Sequence, residues 1–238
     1  MPNDGLGHFT PLDMAAVLVL ILAWSGVTVL IEHAPRRFPS TSNLMAQYRR
    51  EWMVQFVSRD PRIFDSQVIG QLRQGTSFFA SATLIAIGGA LALLGDVERL
   101  IGIADDLTTG TDPVVVWEAK ILLIVAFLTN AFLKFVWANR LFGYCAVVMA
   151  AVPNDPGDPA ATPRAQKAGE INITAARGFN RGLRSLYFAL AAAAWLLGAS
   201  ALLVAVAITL AVLLRREFAS TSRTVLMRPE DDRPDTRS

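Results

Sequence analysis

A single cysteine, Cys145, excludes an internal disulfide framework and any CxxC metal site. With only two histidines, His8 and His33, metal chemistry is poorly supplied. They bracket the first apolar block, so on a helix they would lie roughly 37 Å apart, too far for one haem iron. No Walker loop, dinucleotide fingerprint, HExxH or GxSxG pattern occurs, which closes the familiar enzyme routes at the motif level. The expectation is a protein that is not an enzyme and uses no cofactor and no metal. Net charge is only +2, and the basic residues sit beside apolar blocks, so no nucleic-acid footprint is visible. Lysine is scarce as well: Lys120, Lys134 and Lys167 are the only three, a bias that, with abundant alanine, points to a GC-rich bacterial gene.

What is plentiful is apolar sequence. Of 238 residues 53% are hydrophobic, mean hydropathy is +0.41, and the apolar residues fall in long blocks, the profile of a polytopic membrane protein. The first span covers residues 12–31. No Lys or Arg precedes it and no small-residue cleavage site follows, so it reads as a retained span with its N-terminus outside, consistent with Arg36 and Arg37 directly after it. Over residues 43–58, Leu44, Tyr48, Trp52, Met53 and Phe56 recur at helical spacing. This amphipathic helix has two open placements, in the membrane interface or packed on the other helices. A helix from Asp60-Pro61 carries the second span, 75–94.

The longest element runs from an Asp112-Pro113 start to Pro153, with a span over 114–136 and an amphipathic continuation. At ~1.5 Å per residue it measures ~60 Å, twice a bilayer's ~30 Å hydrocarbon core. A last helix from Pro163 carries the fourth span, 186–214, and the charged tail 215–238 is expected to be disordered. The fold expected is all-α: four transmembrane helices whose cytoplasmic extensions form a bundle. The two connections placed in the cytoplasm hold fourteen basic residues against seven outside, which favours N-out, C-out in a bacterial inner membrane. Arg215 and Arg216, at the end of the last span, pull the other way.

Few residues suggest chemistry. Asn130, deep in the third span, is either a hydrogen-bonding tie between helices or a contact along a pore. Glu118 and Lys120 read as interfacial snorkellers, and Cys145 as a small buried apolar residue. Arg177, Arg181 and Arg184 recur at i, i+4, i+7, with Arg73, Lys134 and Arg140 at a similar depth on neighbouring helices. They are either ordinary positive-inside decoration or a grip on anionic lipid or ligand. Small residues line two faces, Ala82, Ala86 and Ala90, and Ala194, Gly198, Ala201 and Ala205, which allow close helix contact within or between protomers.

The blocks Gln71-Leu72-Arg73-Gln74-Gly75 with Phe79 to Leu84, Lys120 to Phe135 with Trp137 and Arg140, and Asn180 to Arg184 with Tyr187-Phe188 and Trp195 resemble the DUF599 family of membrane proteins. The likeness covers roughly residues 12 to 215. One departure is Gln74, where members often carry Asn. The resemblance implies about four spans and no activity, the family being a domain of unknown function. The leading expectation is a non-enzymatic homo-oligomer in the lipid bilayer, binding anionic lipid or a partner. The alternative is an oligomeric channel or transporter for a small anion past Asn130, Lys134 and Arg140.

Overall fold

The computed structural model describes residues 9–98, 101–102 and 113–228. Among these there is no strand, and four helices are long and apolar enough to cross a membrane. The expected cap Asp112, His8, Arg99 and the last part of the tail lie outside the described residues.

Helix α1 (Pro11–Glu32) starts at a capping box: Thr10 Oγ1 accepts from Asp13 N, and the Asp13 carboxylate accepts from Thr10 N. Helix α2 (Thr41–Ser58) is capped by Ser40, whose hydroxyl donates to Ile31 O at 2.9 Å and so fastens the start of α2 to the end of α1. Its Leu44, Met53 and Phe56 are buried, which settles its placement: it packs on other helices. Helix α3 (Ile63–Leu94) and helix α4 (Val114–Ala150) run for 32 and 37 residues unbroken, as their lack of internal proline allows.

Helix α5 (Ala161–Ala193) ends in one 3-10 turn, Ala194–Leu197, and then the chain reverses. Gly198 turns the corner at φ 114°, a conformation that costs glycine little because it has no Cβ. Helix α6 (Ala199–Phe218) runs back along α5 and α1. Trp195 Nε1 donates to Asp13 Oδ1 at 2.7 Å at one end of the bundle; at the other, Arg216 Nη1 donates to the Tyr187 hydroxyl at 2.5 Å. The expected single span 186–214 is therefore a helical hairpin. Both arms are apolar, so hydropathy runs across the bend without a mark.

This corrects the topology too. The described chain passes along the bundle five times, in α1, α3, α4, the second half of α5 and α6, so residues 9 and 218 lie at opposite ends. Arg215 and Arg216 join Arg36 and Arg37 at the Glu32 end, contrary to the C-out reading. The expected disorder is also displaced from residues 215–226. These finish α6 and form a short helix α7 (Thr221–Leu226), held where Arg223 Nε donates to Pro39 O at 2.9 Å.

Two cores result. Leu20, Val27, Phe127, Phe188, Trp195 and Leu202 pack α1, α4, α5 and α6 together. Past the Glu32 end, Met53, Phe56, Ile69, Cys145, Met149 and Ala168 pack α2 against extensions of α3, α4 and α5. The closest approach is between α4 and α5. A Cβ on Gly182 would sit 2.6 Å from a Phe135 ring carbon, and one on Gly178 would lie 3.6 Å from Ala138 Cβ. Helix α3 packs chiefly on α4 and leaves Ala82 and Ala86 exposed.

Candidate anion site at the Glu32 end of the bundle

Glu32, the last residue of α1, is clamped from α5. Arg181 Nε donates to Oε1 at 2.8 Å and its Nη2 to Oε2, while Arg184 Nη2 donates to Oε1 at 2.6 Å. The i, i+3 spacing puts both arginines on one face of α5, and the Glu32 side chain is only 12% exposed. A second acid is used close by. Glu217, near the end of α6, accepts from Ser42 N at 3.0 Å and Ser42 Oγ at 2.9 Å, an anion seated on the N-terminus of α2. Asn180 Nδ2 reaches the same hydroxyl at 3.3 Å.

With both acids engaged, a cleft of about 390 Å³ opens between α2, α3 and α5. Its polar lining includes Ser42, Arg49, Gln71, Arg177 and Asn180, and Phe142 and Phe179 give it an apolar wall. Toward the apolar core it meets Phe79, Phe135 and Phe179, whose ring centroids lie 5.4–5.5 Å apart. Arg49 donates to the buried Asn172 Oδ1, and Asn172 Nδ2 in turn lies 3.6 Å from Cys145 Sγ. Burial pushes the Arg49 guanidinium below its ordinary value, because the charged form has lost water. Among the described residues neither Arg49 nor Arg177 makes a salt bridge. The cleft wall therefore holds two guanidinium groups outside any salt bridge, beside the carboxylates of Glu32, held by Arg181 and Arg184, and Glu217, held by Ser42.

The six cations singled out by spacing do not converge. Arg177 lines the cleft, and Arg181 and Arg184 hold Glu32. Arg73 lines a different groove of about 350 Å³ between α3 and α4, beside Arg62 and Asn154. There Arg62 donates to Val152 O and Pro153 O, both at 2.8 Å, and so satisfies carbonyls at the end of α4. Arg140 is exposed and donates to Tyr144 OH at 2.5 Å; Lys134 is half-buried on α4 and lines none of these cavities.

Asn130 is a tie between helices. Its Nδ2 donates to Ser185 Oγ at 2.7 Å, and Ser185 Oγ also accepts from Trp24 Nε1 at 3.3 Å, which joins α1, α4 and α5. Cys145 is buried, with Sγ donating to Ala168 O at 3.3 Å. Lys120 does not snorkel: it is buried, with Nζ 5.1 Å from the Trp117 ring and 5.9 Å from that of Trp195. Among the described residues no group of three or more His, Cys, Asp or Glu could hold a metal ion.

Helical spacing does not mark Glu32, Arg49 or Glu217, which the fold brings to the site. A signal was present for Glu217: it stands beside the Arg215-Arg216 pair whose placement conflicted with the charge count.

Long apolar helices bound into one bundle by buried polar ties, with no strand among the described residues, define a polytopic helical membrane protein. The chain belongs to the DUF599 family, described as a protein of unknown function, whose family model matches residues 15–222. No curated protein and no solved structure matches it.

Proposed function

We propose that the protein is a non-enzymatic membrane protein of a bacterial inner membrane that assembles with further copies of itself and holds an anionic lipid head group in the cleft between α2, α3 and α5. The observation that carries this reading is Arg49: a partly desolvated guanidinium with no carboxylate partner among the described residues, lining a cleft with one polar and one aromatic wall. A lipid phosphate supplies the missing counter-charge, and the aromatic wall suits the start of its acyl chain.

Arg36, Arg37, Arg177, Arg181, Arg215 and Arg216 all gather at the Glu32 end, so the positive-inside rule puts that end in the cytoplasm and residue 9 outside. The second core, with α2, then stands in the cytoplasm. The outward Ala82 and Ala86 of α3 give a second copy room for close helix approach. An anion path past Asn130, Lys134 and Arg140 draws no comparable support, since Asn130 is spent on Ser185 and Arg140 on Tyr144.

Native mass spectrometry of protein extracted with its own lipids tests the proposal. Wild type is expected to retain anionic lipid, and the Arg49→Gln/Arg177→Gln double variant to lose it at unchanged oligomeric state. Equal retention by both proteins would remove the cleft from consideration, and a lone monomer would remove the assembly.

A further inference from the structure

A second, smaller cavity of about 230 Å³ lies where the open end of the α5–α6 hairpin meets the start of α2. It shares the wall formed by Thr41, Asn180 and Glu217 with the larger cleft, but its charged donors are different: Arg184 and Arg216. Arg184 is only 3% exposed, and its Nη2 is spent on Glu32. Its Nε is buried with no hydrogen-bond partner. A charged N–H that has left water needs an acceptor, and those nearest are taken. Glu32 already receives three donors from the two arginines, and Glu217 is held on Ser42.

The rest of the wall is also rich in donors. Arg216 is exposed apart from its hydrogen bond to Tyr187, whose hydroxyl accepts there and keeps its own proton to give. Ser220 Oγ accepts from Arg223 N at 3.2 Å and has its proton free, and Ser222 adds a further hydroxyl. Ile31, Leu183 and Leu213 make the remaining side apolar. Two cations and three hydroxyls around one small space, against one acid that is already occupied, call for a ligand with several acceptor oxygens. A phosphomonoester has three terminal oxygens where a carboxylate has two.

We infer that this cavity binds a phosphomonoester group, with the Arg184 guanidinium and Arg216 as its charged donors, at a site separate from the cleft of Arg49 and Arg177. The group can arrive on a soluble molecule or as the head of a phosphatidic acid whose chains pass the apolar side. Both sources share the chemistry, and the experiment separates them.

The full chain is placed in phosphatidylcholine nanodiscs and titrated with inorganic phosphate by calorimetry; in parallel, nanodiscs containing phosphatidic acid are read by native mass spectrometry for retained lipid. Arg184→Lys keeps a cation for Glu32 and removes the guanidinium fork from the cavity wall. Arg216→Gln and Ser222→Ala change exposed positions and carry the test if the first variant fails to fold. Each lost charge-assisted donor is expected to weaken binding about tenfold. Phosphate binding that falls in these variants supports a soluble ligand; phosphatidic acid retention that falls, without phosphate binding, supports the lipid. Arg49→Gln, which acts on the cleft alone, is expected to leave the Arg184- and Arg216-dependent phosphate binding in place and to remove no more than the cleft-bound copy of phosphatidic acid, whereas Arg216→Gln removes the second copy, which distinguishes this site from failure of the cleft. Absence of both signals in wild type, or binding unchanged in Arg184→Lys and Arg216→Gln, would overturn the inference.

Discussion

Helices α3, α4 and α5 each pass through two regions that are held together by different means. On the Asp13 side of Glu32 the outer faces are apolar and exposed, as at Leu22, Ile85 and Val204, and the helices are joined by close packing and a few polar ties such as Asn130–Ser185–Trp24. On the other side α2 wraps the same helices, and charge–polar contacts multiply: Arg50 with Glu170, Arg59 and Trp52 with the buried Asp65, Arg62 with the α4 carbonyls. The difference fits the proposed placement, with the first region in lipid and the second in water. Apolar burial drives association only where water is the alternative, so the outer half depends on backbone proximity and the inner half on burial with satisfied polar groups.

The largest disturbance is expected at the border between the regions. Glu32→Gln leaves the buried Arg184 cation without its counter-charge, and thermal unfolding in detergent should show a loss of about 3–5 kcal/mol. A negligible loss would mean that the two regions do not depend on this joint. Gly182→Ala pushes a methyl group into the Phe135 ring at the tightest point of the outer half, and about 1–3 kcal/mol is expected. Combining it with Phe135→Leu should recover part of that loss in a double-mutant cycle; strict additivity would deny the contact.

Gly198→Ala tests the hairpin by its sign. No atom lies within 4 Å of the added methyl, so only the positive φ is penalised, by about 1–2 kcal/mol. Were residues 186–214 one continuous helix, the same change would stabilise it by about 0.5–1 kcal/mol. The smallest effect is expected from Asn130→Ala, about 0.6 kcal/mol, because an interhelical hydrogen bond in apolar surroundings competes with other partners in the unfolded state. A loss several times larger would bring the outer half closer to the polar rules of the inner one.

Much of the architecture was legible in the sequence because helix period and apolar blocks are strong signals over 20 to 40 residues. Pro11–Glu32 and Thr41–Ser58 fall within two residues of the expected bounds, and the 37-residue α4 follows its expected course. The reversal at Gly198 was not legible, because a glycine between apolar arms reads equally as a small packing residue. The expected face of Ala194, Gly198, Ala201 and Ala205 is divided by the turn, while the glycines that bring helices close, Gly178 and Gly182, sit in a stretch noticed for its charge. Spacing placed Arg181 and Arg184 on one face correctly. It had no access to their partner Glu32, about 150 residues earlier in the chain, nor to the Glu217 carboxylate on α2.

The bend at Gly198 also constrains how the chain enters a membrane during synthesis. Its first arm, from Leu186 to Leu197, is well short of the ~20 apolar residues that hold a segment in a bilayer, and it is preceded by Arg181 and Arg184. That arm cannot partition into lipid unaided. Only beside α6 does it reach the apolar length that a bilayer holds, so the two arms are expected to enter as one hairpin.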